Sequence, residues 1–219
     1  MAGIAGLVAE VAPASPLARW LAATAPALAP AELSFEVSGQ GMRRSSDVAV
    51  SLSGTAGGTD VAVSADMTGT REAWRNGSIS GRASLSNPSG DVLLSQLGFD
   101  AIPVGDGAPS TLEVTVDGTP RTGLSSSLTA RLVGVDVSAD GTLSFPADQK
   151  PSIDASVAVT SDDVSALAIA TGRALPVLVG GTPVELRGRV AGSTDAAELS
   201  RLTGSVAGVR ISGQATVDR

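Results

Sequence analysis

The chain of 219 residues contains no cysteine and no histidine, and its formal net charge is −7. These absences exclude disulfides, thiol nucleophiles, Cys or His zinc sites and histidine bases, and with them most hydrolase mechanisms. The 15 basic residues are scattered along the chain, so the sequence shows no basic patch for nucleic acid or for an anionic membrane surface.

The first predicted segment, residues 1–30, is a helical or linker segment. Ser15-Pro16 is a helix start signal, after which Leu17 and Trp20 share one face. No stretch approaches the roughly 18 to 20 apolar residues of a membrane span, and the N-terminus lacks the positive residues of a signal peptide. We therefore expect the chain to be soluble as written and any anchor or export signal to lie upstream of it.

From residue 31 to 219, apolar and polar residues alternate in about ten short stretches. A period of two places successive side chains on opposite sides of a β-strand. Turn signals separate the stretches, including Asn76-Gly77, Asp117-Gly118 and Asp140-Gly141. The predicted strands begin near Leu33, Val48, Val61, Leu112, Leu128, Val135, Ile153, Leu186 and Val209.

Two interior stretches break the alternation and predict short helices. Asp91 opens VLLSQLG, and Ser161-Asp-Asp opens VSALAIATG. The carboxylates in these openings suit the positive end of a helix dipole. Gly98 and Gly172 are the predicted left-handed stops of the two helices.

The helices belong to a larger repeat. DVLLSQLGFDAIPV at 91–104 parallels DVSALAIATGRALPV at 163–177, and each precedes a strand, from Leu112 and from Leu186 respectively. The sequence therefore predicts a repetitive β domain at 31–219 built from units of one helix followed by strands. The approximate units are 15–90, 91–160 and 161–219.

Shorter phrases also recur. GVDVSADGTL at 134 parallels GVRISGQATV at 208, and NGSISGRASL at 76–85 is a near copy of the second phrase. We interpret the recurring phrase as one edge strand of the sheet unit, used in successive copies.

The predicted fold class is mainly β, with repeated helix-plus-strands units forming a curved antiparallel sheet with short helices. Because each strand has one apolar face, two arrangements fit: a sandwich in which two apolar faces close on each other, and a taco-like groove open to acyl chains. The aromatic content of 2% favours the groove, since a face of small branched residues offers a lipid a continuous apolar path. The candidate groove residues are Leu112, Val114, Val116, Val135, Val137, Leu186, Val190, Val209 and Ile211.

Several of these motifs resemble a known family. The short helix ending in Gly-x-x-Ala-Ile-Pro-Val or Gly-Arg-Ala-Leu-Pro-Val, the strand VELRGRVAG and the closing ELSRLTGSVAGVRISGQATVDR resemble the AsmA-like proteins of Gram-negative envelopes. The phrase LTGSVAGVRISGQATVD is similar to the C-terminal repeats of that family. The resemblance covers most of the chain, from about residue 30 to the end.

The resemblance implies a periplasmic protein that is tethered to the inner membrane by a helix upstream of this chain. It also implies a taco-shaped or grooved β-sheet that takes part in moving phospholipid towards the outer membrane and in outer-membrane assembly. The implied partners are phospholipid or another acyl-chain lipid, other envelope proteins and the inner membrane, without nucleic acid. The family brings no catalytic residue, cofactor or metal site to this chain.

The remaining candidates have simpler interpretations. No acidic pair repeats an oxygen ligand at every second position, as a calcium loop does, so we interpret these pairs as helix caps or solvated turns. The pairs are Asp100 with Asp106, Asp162 with Asp163 and Asp195 with Glu198. Two arginine pairs, Arg43-Arg44 and the pair Arg71 and Arg75 around Trp74, are candidates to meet a lipid phosphate at a groove rim, although solvated loop positions are favoured.

The sequence predicts no enzymatic activity. Ser125, Ser126 and Ser127 have no histidine to activate them, and the chain contains one lysine, Lys150. The alternative to lipid binding is a structural or adhesive β module with a closed apolar core and no ligand.

Overall fold

The computed structural model describes residues 24–42, 45–69, 73–99, 108–146, 150–166, 181–193 and 196–218. The predicted helix at Ser15-Pro16, the predicted stop at Gly172 and most of the predicted helix after Ser161 lie outside these ranges.

Within these ranges, eleven strands form one antiparallel sheet, in which each strand pairs with its neighbours in sequence and β1 and β11 are the edges. The sheet is curved and its two edge strands do not meet, so it is unclosed. The predicted fold class is therefore confirmed, with eleven strands rather than about ten. They are β1 (Ala31–Met42), β2 (Ser45–Ala56), β3 (Thr59–Gly69), β4 (Ile79–Asn87), β5 (Ser110–Thr119), β6 (Gly123–Leu132), β7 (Val135–Ser144), β8 (Ser152–Ser161), β9 (Val184–Ser193), β10 (Ala196–Val206) and β11 (Val209–Asp218).

The two ends of the strands carry different connections. At one, which we call the helix end, α1 (Gly90–Gln96) joins β4 to β5, and a second helix begins at Val164 after β8. The opposite end, the loop end, carries the connections β1–β2, β3–β4, β5–β6, β7–β8 and β9–β10. Four strands thus precede each helix, and three follow the second one.

The helix signals in the sequence agree with the structure where it describes them. Helix α1 begins one residue before Asp91, and Gly98 follows it with a φ of 89°, the predicted left-handed stop. The Ser165 backbone N–H donates to Asp163 Oδ1 at 2.8 Å, which caps the second helix.

Three connections at the helix end are two-residue hairpin turns in which both residues have positive φ. This geometry matches the twist of the flanking strands, and glycine adopts it without steric cost. The turns are Gly57-Gly58 (φ 56° and 78°), Val133-Gly134 (51° and 81°) and Ala207-Gly208 (53° and 75°).

Two of the predicted hairpin turns are wrong. Asp117-Gly118 lies within β5 and Asp140-Gly141 lies within β7. Gly141 allows close packing instead, because a Cβ there would lie 2.3 Å from the backbone oxygen of Asp154 in β8. The predicted turn at Asn76-Gly77 does fall in a connection, between β3 and β4.

The interpretation of the recurring phrase as one common edge strand is also wrong. Residues 79–85 belong to β4, the fourth strand of its unit, whereas residues 135–143 belong to β7, the third of four strands, and residues 211–217 belong to β11, the third strand of the last unit. The counterpart of β11 is β7, since Val135 and Val209 both follow a two-residue turn. A sequence of alternating apolar and polar residues is compatible with any strand of such a sheet, so the sequence does not determine which strand of the repeat it forms.

Helix α1 packs on the strand ends at the helix end and buries Leu93 and Leu94. Gly90 permits this approach, because a Cβ there would lie 2.7 Å from Val133 Cγ2 in the β6–β7 turn. Leu28 and Ala56 form a small cluster at the same end. The best-buried part of the described residues is therefore the helix end of the sheet.

Gln96 ties α1 to the neighbouring segments at this end. Its Nε2 donates to the backbone oxygens of Ala27 at 2.9 Å and Ala56 at 3.0 Å, and its Oε1 accepts from Thr59 Oγ1 at 2.5 Å. Asn87 Nδ2 donates to the same Thr59 hydroxyl oxygen at 2.7 Å. These buried polar groups therefore satisfy one another, as buried polar groups must.

We predict that Gln96→Leu lowers the free energy of unfolding by about 2 kcal/mol, because the buried groups that it now satisfies lose their partner. Urea unfolding followed by circular dichroism measures the change. Gln40→Leu, on an exposed part of β1, is the matched control and should change the free energy by less than about 0.5 kcal/mol. Equal stability of the two variants would contradict the role given to Gln96.

Candidate functional site

The register of the sheet aligns apolar residues into rows that run across eight to eleven strands. We call the side of the sheet that carries these rows the apolar face. In the first row, near the helix end, each residue is the direct pairing partner of the next. The row is Leu33, Gly54, Val61, Leu85, Leu112, Ala130, Val137, Val159, Leu186, Gly204 and Ile211.

Three further rows follow towards the loop end, and all their members are apolar or glycine except Ser126. The second row is Phe35, Leu52, Val63, Ala83, Val114, Leu128, Ala139 and Val157. The third is Val37, Val50, Ala65, Gly81, Val116, Ser126, Gly141, Ala155, Val190, Leu199 and Ala215. The fourth is Gly39, Val48, Met67, Ile79, Gly118, Leu124, Leu143, Ile153, Gly192 and Ala197.

A bulge in β10 keeps the last strands in this pattern. Leu199 and Leu202 are three residues apart, and a regular strand would place them on opposite faces. Arg201 between them has a φ of 52°, and the register shifts here, so that Leu199 pairs with Ala215 and Leu202 with Gly213. The extra residue therefore returns both leucines to the apolar face.

The apolar face is large for a chain of this size. Neighbouring strands lie about 4.8 Å apart, so ten intervals span about 48 Å, and four rows add about 20 Å along the strands. The face thus covers on the order of 1,000 Å², whereas the largest apolar patch on a typical soluble monomer is about 300–600 Å². Apolar patches above this size are typical of interaction surfaces.

No second sheet covers the apolar face within the described ranges. Side chains of the interior strands are mostly half-buried by their neighbours in the same layer. The edges are more open, with Phe35 on β1 63% exposed and Val209 on β11 65% exposed. A closed sandwich requires a second apolar layer, which this part of the chain does not contain.

The opposite face is polar and carries exposed ion pairs between neighbouring strands. Arg131 donates hydrogen bonds to Asp136 and lowers the pKa of that carboxyl, and Arg189 lowers the pKa of Asp154 in the same way. Arg82 in β4 forms an ion pair with Glu113 in β5 at 2.9 Å. Such exposed pairs add little stability, and what they add is lost as the pH falls through the lowered carboxyl pKa. Their main effect is to keep this face solvated.

Surface depressions on the polar face are open and shallow. One of 570 Å³ lies over β1 to β3 between Glu36 and Asp66, and another of 380 Å³ lies over β7 to β9 beside Arg187 and Arg189. Small serine and alanine side chains between longer charged ones explain both. They lack the enclosed apolar walls of a ligand pocket.

The register places all nine predicted groove residues on the apolar face. Val135 differs from the others because it is only 2% exposed, so it is not available to a ligand in this conformation. The sequence-based set omitted the equivalent residues of the first strands, such as Phe35, Leu52 and Val63 in the second row. The same alternation of apolar and polar residues is present in β1 to β3 and is the signal that identifies these residues. Binding of lipid by these residues stays a prediction.

The other candidates gain no support as chemical sites. Ser125 and Ser127 lie within β6 on the polar face, paired with Asp117 and Thr115 of β5. The Ser165 backbone N–H lowers the pKa of Asp163, which acts as a helix cap. No group of three or more acidic residues in the described ranges could hold a metal ion. Asp100, Asp106, Asp195, Arg43, Arg44 and Arg71 lie outside those ranges.

Val135 and Val209 form a matched pair for testing which part of the apolar face is core. Both follow a two-residue turn, but one is buried and the other is 65% exposed. We predict that Val135→Thr lowers the free energy of unfolding by about 1–2 kcal/mol, because a hydroxyl is buried, whereas Val209→Thr changes it by less than about 0.5 kcal/mol. Urea unfolding measures both, and a larger cost at Val209 would show that something covers β11.

No helix in the described part of the chain is long and apolar enough to cross a bilayer. No protein-family model matches the chain, and no curated protein or solved structure is similar to it at a significant level.

Proposed function

We propose that the apolar face shields the acyl chains of lipids from water and that the protein is non-enzymatic. The observation that carries this proposal is the unbroken first row, in which paired aliphatic residues and glycines cross the sheet from Leu33 to Ile211. A lipid outside a bilayer loses about 0.8 kcal/mol for each methylene exposed to water, so a carrier must offer a continuous apolar surface.

The dimensions of the face fit this role. The hydrocarbon core of a bilayer is about 30 Å thick, so one acyl chain reaches about 15 Å. The strip across the sheet is about 48 Å long, which leaves room for a chain to lie on it and to move along it. Rows of similar small residues present no deep pocket that would trap the chain at one place.

The polar face supports the same arrangement. Its ion pairs, such as Arg82 with Glu113 and Arg131 with Asp136, keep one side of the sheet in water. A one-layer sheet with one wet and one apolar side leaves the apolar side open to a partner. Lipid is the partner that the low aromatic content favours, because protein interfaces are enriched in aromatic anchors.

The cellular setting is part of the proposal and rests on the sequence resemblance. We propose an AsmA-like segment of the Gram-negative envelope that lies in the periplasm and is associated with the inner membrane through a helix upstream. In that setting the sheet conducts phospholipid towards the outer membrane, together with other envelope proteins.

The first test is the lipid content of the purified protein. The chain is expressed in bacteria, purified without detergent and extracted with solvent, and phospholipid is counted per mole of protein by mass spectrometry. We expect a ratio of about one or more, well above that of a β-sandwich control. A ratio near zero in a folded, monodisperse sample would contradict the proposal.

A second test places a charge on the apolar face. We predict that Val114→Asp with Val137→Asp reduces retained lipid at least about tenfold, because burying a carboxylate against acyl chains is costly, while the sheet stays folded. The matched control is Thr115→Asp with Ser138→Asp, on the polar face of the same strands, which should retain lipid as the unmodified chain does. Unfolding of the first variant alone, seen by circular dichroism, would instead indicate a closed apolar core.

A further inference from the structure

Three connections at the loop end are joined to one another. The Arg121 backbone N–H donates to the Arg75 backbone oxygen at 2.9 Å, which links the β5–β6 connection to β3–β4. The Phe145 backbone N–H donates to the Pro120 backbone oxygen at 2.8 Å, which links β7–β8 to β5–β6. Pro120 is completely buried beneath them. These backbone hydrogen bonds therefore hold the three connections, and the side chains that they carry, close together.

The three joined connections carry aromatic and guanidinium groups side by side. The Trp74 and Phe145 ring centroids are 6.5 Å apart, and Arg75 Cζ lies 4.8 Å from the centre of the Trp74 ring. Arg121 Nη1 donates to Asn76 Oδ1 at 3.4 Å. Trp74 is 42% exposed, and both arginines are exposed. This cluster of Trp74, Arg75, Arg121 and Phe145 lies in the loop-end connections, beyond the fourth apolar row.

The two arginines of the cluster differ from those of the polar face. Within the described ranges, neither Arg75 nor Arg121 forms an ion pair with a carboxylate. Arg82, Arg131, Arg187 and Arg189, by contrast, each pair with one. The cluster therefore offers guanidinium donors that no carboxylate of the described residues occupies.

The topology also separates charge between the two ends of the sheet. Among the described residues, the loop-end connections contain the basic residues Arg75, Arg121 and Lys150 and no acidic residue. The described residues of the helix-end connections contain the acidic Asp91, Asp162 and Asp163 and no basic residue. The meander therefore places the described basic connection residues at one end of the sheet, in a chain that is acidic as a whole.

We propose that Arg75 and Arg121, beside Trp74, bind the phosphate of a lipid headgroup whose acyl chains lie on the apolar face. This inference rests on the proposed function and gives the lipid an orientation, with its headgroup at the loop end. Guanidinium groups donate charge-assisted hydrogen bonds to phosphate oxygens. An indole suits the boundary between polar headgroup and apolar chain, as it does at membrane interfaces.

The test compares two lipids that differ only in the phosphate. The full chain is incubated with phosphatidylcholine vesicles that contain either phosphatidic acid or diacylglycerol with the same fluorescent acyl chains, and the protein is then separated from the vesicles. We expect about tenfold more phosphatidic acid than diacylglycerol per mole of protein, and a ratio near one for Arg75→Gln with Arg121→Gln. Arg82→Gln with Arg187→Gln removes the same charge from the polar face and should keep the original ratio.

The outcomes separate this inference from the proposed function. Equal retention of both lipids by the unmodified chain, unaffected by either double variant, overturns the phosphate site and leaves lipid shielding intact. Retention of neither lipid overturns both proposals. Soluble glycerol phosphate is added as a competitor: displacement of phosphatidic acid only at large excess supports a lipid headgroup, whereas binding as tight as that of the lipid assigns the site to free phosphate and overturns the headgroup assignment.

Discussion

A slip of one residue in any hairpin of this sheet would turn every apolar side chain of the shifted strand to the polar face. Register is therefore the constraint on which the rest of the molecule depends. Two-residue turns such as Val133-Gly134 fix it at the helix end, because their geometry permits one pairing of the flanking strands. In β10, where the sequence itself breaks the alternation, the bulge at Arg201 restores it. Together, these turns and the bulge keep the apolar face continuous.

The two ends of the sheet are packed differently. At the helix end, α1 covers the strand ends, and Gln96 and Thr59 satisfy each other's polar groups there. At the loop end the described connections contain one short 3-10 turn, Trp74–Asn76, and the fourth apolar row is followed there by Trp74 and Phe145. Aliphatic side chains therefore pack over the strand ends at the helix end, whereas polar and aromatic side chains border the sheet at the loop end.

The sequence predicted the sheet and its apolar face because both depend on the period of two, which is local information. Turn positions were less predictable: Gly141 is required for close strand packing rather than for a turn, and Val133 adopts a positive φ that its β-branched side chain disfavours. Trp74 and Arg75 are neighbours in sequence, but Arg121 and Phe145 join them only through the meander. No periodic signal connects residues so far apart, and whether a partner covers the apolar face is likewise not a local property.

The sheet formed by the described residues has an odd number of strands, so β1 and β11 run in the same direction. Two copies joined edge to edge, with their apolar faces on one side, can therefore pair in antiparallel fashion only through like edges, β1 with β1 or β11 with β11. Either arrangement is a two-fold pair that doubles the strip, and growth stops there when only one of the two edges pairs. Head-to-tail growth into a filament requires the less stable parallel pairing. One strand more or fewer would reverse this and make continuous end-to-end polymerisation the favoured outcome.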